Sequence, residues 1–286
     1  MEFENCSEEQ MTSIKSIREL LGQLGVGTAD DWPHTRVILT SDIVAENQKH
    51  APLDQLGDPA VIAGLNGRVI MPHDASPEFI VLIKSELFDS DQYLHTVAHE
   101  LTHLADFCAF SKEIGSIYDL VPNEAARHSF GAFYLWSEFH AKRVGTIVYS
   151  TIIWHAVNGP QPPENSRYSF SSVDLQTNAI RESLVTLRET GRNDYAQPLW
   201  CTLENMAAYL GRLSVFDEGC SPKDKDPQYP FEEVDQLLGD TEVCSIYRLF
   251  KTGDSYSKVK GVLPVIQGIL YRVELNLRRY LSNRYA

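Results

Sequence analysis

The 286-residue chain is 43% hydrophobic and 22% charged, enough apolar content to fill one large core or two modest ones and too much for a disordered chain. A formal net charge of −14 and a pI near 5.0 repel phosphate backbones and disfavour broad electrostatic binding to nucleic acid. Mean hydropathy is −0.24, and the richest apolar run, Val262 to Leu270, is broken by Pro264, Gln267 and Gly268, far short of the ~18 residues of a membrane-spanning helix.

The first residues, Met1 to Glu9, are acidic where a secretory leader is basic and then apolar. Five cysteines (Cys6, Cys108, Cys201, Cys220 and Cys244) are scattered, odd in number and free of C-x-x-C pairs. Neither a disulfide framework nor a cysteine zinc knuckle is expected, and a reducing cytoplasm is the expected location.

In chain order, Ile14, Ile17, Leu20, Leu21 and Leu24 recur at helical spacing and predict a helix over Ser13 to Leu24. Arg36 to Thr40 and Arg68 to Met71 read as short strands, the second bounded by Gly67 and Pro72. Phe79 to Ile83 is the strongest strand signal, and its unbroken apolar character implies burial on both faces. A helix follows from about Ser90 to Phe107, with Asp89 and Gln92 resembling a capping box. After a loop through Val121 and Pro122, a long helix runs from about Asn123 into the 150s.

The run Asn158 to Pro163 holds Gly159, Pro160, Pro162 and Pro163 and marks the expected boundary between residues 1–157 and 158–286. Beyond it the pattern is helical over Leu175 to Leu187, Leu199 to Leu213, Phe231 to Leu238 and Pro264 to Leu281, with a polar loop from Gly219 to Pro230. Arg272, Arg278, Arg279 and Arg284 read as the wet face and end of the last helix. The fold class expected is α+β and predominantly helical: a first half with a small sheet, and a helical C-terminal region packed on it.

Chemistry concentrates in the first half, because all nine histidines lie at or before His155. His99-Glu100-Leu101-Thr102-His103 matches H-E-x-x-H. At 100° per residue the two histidines stand 40° apart on one helix face and about 6 Å apart along the axis. Both imidazoles can then meet one ion, while Glu100, 100° from His99, can reach a water without binding the metal. Leu94, Val97, Ala98, Leu101, Leu104 and Ala105 form a core stripe opposite the histidines. The same wheel permits a plainer reading in which His99 and His103 face solvent. A metal site needs that polar face covered by another element.

A third protein ligand is expected for a catalytic zinc. Asp106 lies on the histidine face and Glu124 opens the next helix, but Glu138 is the preferred candidate. Gly131, Ala141 and Gly145 flank its face, and two glycines inside a helix, at about 1 kcal/mol each, ask for a packing reason such as close approach to the histidine helix. His95, one turn before His99, is expected at the site rim or in solvent.

The strand Phe79 to Ile83, the run His99 to Leu104 and Glu138-Phe139-His140-Ala141 together resemble the zincin superfamily of zinc metallopeptidases in its glutamate-ligand branch. The spacing and the Glu-x-x-Ala pattern are similar to ImmA/IrrE-type metallopeptidases, although the Leu-Met-Pro-like run of that family is missing. No third-histidine extension follows His103, unlike the metzincins. The resemblance spans roughly Glu78 to Val148. It implies one Zn2+ held by His99, His103 and Glu138, a general base at Glu100, a peptide or protein substrate, and an oxyanion donor among Tyr134, His140 and Arg143. It leaves a competing reading, a zincin-fold binding or regulatory protein without turnover. The strand Phe79 to Ile83 is a candidate to pair with an extended substrate if it stands at a sheet edge. Cys108, between Phe107 and Ala109-Phe110, reads as a buried apolar thiol and not as a nucleophile.

Overall fold

A computed structural model describes residues 1–27, 32, 34–119, 121, 123–159, 176–216 and 219–284. The chain divides into two compact units, Met1–Phe130 with Val144–Gly159, and Gly131–Arg143 with Pro160–Ala286. Among the described residues no helix is long and apolar enough to cross a membrane, and the architecture is a predominantly helical α+β arrangement with one small mixed sheet.

In the first unit four strands, β1 (Glu2–Glu4), β2 (Thr35–Thr40), β3 (Gly67–Ile70) and β4 (Phe79–Lys84), pair in the order β1-β2-β4-β3. β1, β2 and β4 are parallel, with Thr35 opposite Phe79, and β3 is antiparallel to β4, with Gly67 opposite Ile83. The interior place of β4 explains its unbroken apolar run: Phe79 to Ile83 are all buried. Ile80 and Leu82 meet Ile38, Ile70, Ile43 of helix α2 (Ile43–His50) and Ile62 of α3 (Pro59–Gly64) in one core cluster. Strand alternation leaves Val37, Val81 and Ile83 for the opposite face, against helix α4 (Gln92–Ile114), which itself meets α1 (Glu8–Gln23). Arg36 ties three segments together, reaching Glu78 at 2.8 Å and Glu4 at 3.4 Å.

Several boundaries differ from the sequence reading for local reasons. α1 begins five residues before Ser13, because Ser7 and Gln10 form a reciprocal capping box, Gln10 N to Ser7 Oγ at 3.2 Å and Ser7 N to Gln10 Oε1 at 2.8 Å. β1, α2 and α3 were not predicted. The last two are short helices started by Asp42 and Asp58, whose side chains accept from Ala45 N and Ala60 N. Asp89 does not cap α4: it ends a short 3₁₀ turn, and Ser90 Oγ accepts from Gln92 N at 3.3 Å instead. α4 then runs to Ile114, two turns past Phe107, and stops at Gly115 with φ of 91°. Helix α5 (Glu124–Asn158) starts at Asn123, whose side chain accepts from Ala125 N at 2.9 Å. Pro122, Pro160 to Pro163 and Leu175 lie outside the described residues.

The second unit is helical among its described residues. It takes the middle of α5 together with α6 (Thr177–Glu189), α7 (Ala196–Phe216), α8 (Phe231–Leu237), α9 (Asp240–Phe250), α10 (Tyr256–Val259) and α11 (Leu263–Arg284). The α9 and α10 segments were not predicted. Phe133 and Phe139 of α5 anchor its core, Phe139 with Phe250 and Tyr247 at ring distances of 5.3 and 6.2 Å and Phe133 with Tyr256 at 5.7 Å. α7 runs beside α5 in the same direction: Gly131 lies by Trp200, Tyr134 bonds Glu204, and Gly211 meets Phe139. Three of the four C-terminal arginines are engaged with neighbours: Arg278 with Glu274 and Tyr195, Arg272 with Glu242, and Arg284 with the Arg188 carbonyl.

Candidate metal centre

The histidine helix is built to be enclosed. From Val97 to Cys108 every side chain of α4 is buried, the polar Thr102 and Asp106 included. The wheel places the core stripe correctly, but the opposite face is also covered, which periodicity has no means to register. One cover belongs to α5. A β-carbon at Gly145 would stand 3.0 Å from the His95 carbonyl oxygen and 3.2 Å from its ring, so the glycine lets α5 lie directly on α4. His95 therefore sits at a helix crossing, not in solvent, with its ring stacked 6.0 Å from that of His99. Gly131 does otherwise: it faces Trp200 and Gln267 of the second unit.

His99 and His103 are 7% and 6% exposed, with ring centroids 4.5 Å apart and planes nearly perpendicular at 88°. Glu138 on α5 is half-buried, and its carboxylate with one nitrogen of each imidazole forms a set of three ligand atoms all within 4.8 Å of one another. A tetrahedral ion with bonds near 2.0–2.2 Å separates its ligands by about 3.3 Å, so no pair has to close by more than about 1.5 Å. The group could hold a metal ion. Neither of the other candidate ligands stands in it. Asp106 is buried one turn beyond His103, and Glu124 is exposed 14 residues before Glu138, roughly 21 Å away along α5.

Glu100 is beside the group and not in it. Its Oε1 lies 3.9 Å from His99 Nε2, and the side chain is buried. It leans on Gly67, the first residue of β3, where an added β-carbon would fall 2.6 Å from Glu100 Cγ. Gly67 is thus a site residue that the sequence offered only as a strand boundary. The β4 strand, whose two edges are both occupied, is not open to a substrate; β3 is the outer strand on that side. In an antiparallel pair the hydrogen-bonding groups of alternate residues point toward and away from the partner. Lys84 N donates to Asn66 O, so Asn66, Arg68 and Ile70 face β4, while Gly67, Val69 and Met71 direct N–H and C=O outward. At Met71 that outer edge is occupied by the Gln55 carboxamide, which accepts from Met71 N and donates to Met71 O, both at 2.9 Å.

The three oxyanion candidates separate on α5. Tyr134 is one turn before Glu138 on the same face. His140 is buried against Trp136, ring to ring at 5.0 Å, 200° round the helix from Glu138. Arg143 lies 140° from Glu138. Lys142, one turn after Glu138, stands 3.8 Å from its Oε1. A further carboxyl, Glu204 of α7, was not singled out from the sequence. Burial raises its pKa to about 7; the Trp200 hydrogen bond opposes the rise, the Glu138 charge adds to it, and the Tyr134 hydrogen bond opposes it. The i,i+4 spacing of Trp200 and Glu204 was the available signal, but nothing in one sequence points that pair at α5. Cys108 is buried, as its apolar flanks suggested, and all five cysteines are unbridged.

No family model, curated protein or solved structure matches the chain.

Proposed function

We propose that the chain is a zinc-dependent metallopeptidase of the cytoplasm, with His99, His103 and Glu138 as the residues that hold one Zn2+ and Glu100 as its general base. The observation that carries the reading is the gathering of two buried imidazoles and a carboxylate within 4.8 Å while the intervening Glu100 stays outside the set. Two nitrogens and one carboxylate oxygen are a donor set suited to zinc, and three protein ligands are what a catalytic site provides. The enclosed α4 fits that group, and so do the glycine at the α4–α5 crossing and the glycine under Glu100, where a side chain would strike His95 and Glu100 respectively. When bound, zinc supplies Lewis acidity toward a carbonyl oxygen and acidifies a water.

The remaining work falls to the chain. Glu100, held by Gly67, accepts the proton of the attacking water and returns it to the departing amine nitrogen. β3 offers backbone partners at Gly67 and Val69 for an extended peptide added as a further strand, and the Gln55 amide ends that edge at Met71. Of the three oxyanion candidates only Tyr134 shares the Glu138 face, and its hydroxyl is engaged by the Glu204 carboxyl. The resemblance to the zincin superfamily points the same way.

Metal analysis with peptide hydrolysis tests the reading. Glu100→Gln should keep stoichiometric zinc and lose at least ~100-fold in kcat, and Glu138→Ala should release zinc. Equal hydrolysis by wild type and Glu100→Gln would sink the general-base assignment. Full zinc affinity in Glu138→Ala would remove Glu138 from the ligand set. A zinc-loaded wild type that cleaves no peptide would favour the binding-protein reading.

A further inference from the structure

Glu204 has an environment that the proposed hydrolytic chemistry does not use. Trp200 Nε1 donates to Glu204 Oε1 at 2.8 Å, one turn along α7. The Tyr134 hydroxyl bonds the same carboxyl from α5, and the Tyr134 and Trp200 rings are 5.8 Å apart and tilted by 39°. Tyr134, Glu138, Trp200 and Glu204 are each half-buried, so this strip between α5 and α7 is open at the surface and not sealed in the core. It begins at the preferred metal ligand, because Tyr134 and Glu138 are successive residues of one helix face. Gly131, the next position up that face, lies against the Gln267 side chain and Trp200.

Among the described residues no lysine or arginine forms an ion pair with Glu204. A carboxylate withdrawn from water, flanked by two aromatic rings and near a second carboxylate, is complementary to one kind of group. An organic cation satisfies the charge of the carboxylate and lays its apolar stem along the neighbouring aromatic side chains. An anionic group would be repelled, and an apolar one would leave the carboxylate without a counter-ion.

We propose that Glu204, Tyr134 and Trp200 form a specificity subsite for an alkylammonium or guanidinium group of the substrate, next to the metal centre. In naming a peptide as the carrier of that charge, the inference rests on the peptidase reading. The cation has two possible sources, a lysine or arginine side chain and a free α-amine. The Glu100→Gln chain, loaded with zinc, separates binding from hydrolysis. Three pentapeptides are titrated into it by calorimetry: end-blocked with a central lysine, end-blocked with a central norleucine, and the norleucine peptide with a free N-terminus.

One of the cationic peptides should bind roughly tenfold or more tightly than the blocked neutral one. Glu204→Gln, which keeps an acceptor for Trp200 and Tyr134, should erase most of that advantage while weakening the neutral peptide far less. The cationic peptide that loses affinity identifies the source of the charge. If wild-type Glu204 gives no preference for either cation, the subsite is overturned whether or not the variant folds. If Glu204→Gln weakens all three peptides equally, Glu204 only positions its neighbours, and the proposal also falls. Absence of hydrolysis by the wild-type protein would defeat the peptidase reading and leave a selective loss of cation binding standing.

Discussion

Gly67 and Glu100 fix each other. The strand residue is held by β4 through its neighbours and the glutamate is buried, so the 2.6 Å between an added β-carbon and Glu100 Cγ has no easy relief. Gly67→Ala is expected to push the carboxylate by about an ångström, a displacement that costs an active site about 100-fold. Zinc content should be unchanged, because Gly67 lies against Glu100, which stands outside the ligand set. Steady-state kinetics beside metal analysis checks this, and an undiminished kcat would show that Glu100 does not act from where it stands. The place of Glu100 beside the two histidines and outside their ligand group was legible from H-E-x-x-H, whereas its contact with Gly67 was not. A glycine opening a strand has many causes, and only the approach of a helix 33 residues later in the chain selects this one.

At the scale of elements, helix crossings decide which glycines matter. A β-carbon at Gly211 of α7 would fall 2.3 Å from the Phe139 carbonyl oxygen of α5, while one at Gly268 of α11 meets nothing within 4 Å. Both sit in helices, where alanine is favoured over glycine by about 1 kcal/mol. Gly268→Ala should therefore stabilise by about 0.5–1 kcal/mol. Gly211→Ala should destabilise by about 1–3 kcal/mol, because forced separation of packed backbones outweighs the helix preference. Urea denaturation measures both, and the same sign for the two would contradict the close α5–α7 contact. Element identity was read well where periodicity is long, as in α4, α5, α7 and α11. It was missed where elements are short or started by a single cap, as in β1, α2, α3 and α10, and also in the 11-residue α9, which neither reason covers. The substrate-strand expectation failed for a reason of topology: β4 lies between β2 and β3, and pairing order is not written in the apolarity of a strand.

At the scale of the whole molecule, a metal held by His99, His103 and Glu138 would couple folding to its own binding. An ion that binds only the native state adds about 2.7 kcal/mol at a hundredfold excess over Kd. Chelation should lower the Tm by several degrees, with re-addition of zinc restoring it. The pH dependence has a definite sign. Binding requires neutral imidazoles, so the metal's contribution weakens as pH falls and protons compete with it for His99 and His103. A chelation-induced Tm shift that is absent, or the same at pH 5 and pH 8, would count against the ligand set. The sequence by itself determined the relations inside single elements: two imidazoles on one face, a glutamate beside them, a carboxylate on a long helix, and an apolar strand. Those follow from backbone hydrogen bonding, which fixes 100° per residue in a helix and a period of two in a strand whatever lies around them. Only the tertiary structure decided that Glu138 meets residues 35 and 39 positions earlier, that the polar face of α4 is covered, that β3 is the outer strand, and that Glu204 stands beside α5. Contacts between separate elements are set by side-chain packing at helix crossings and sheet edges, which has no repeat for a sequence to display.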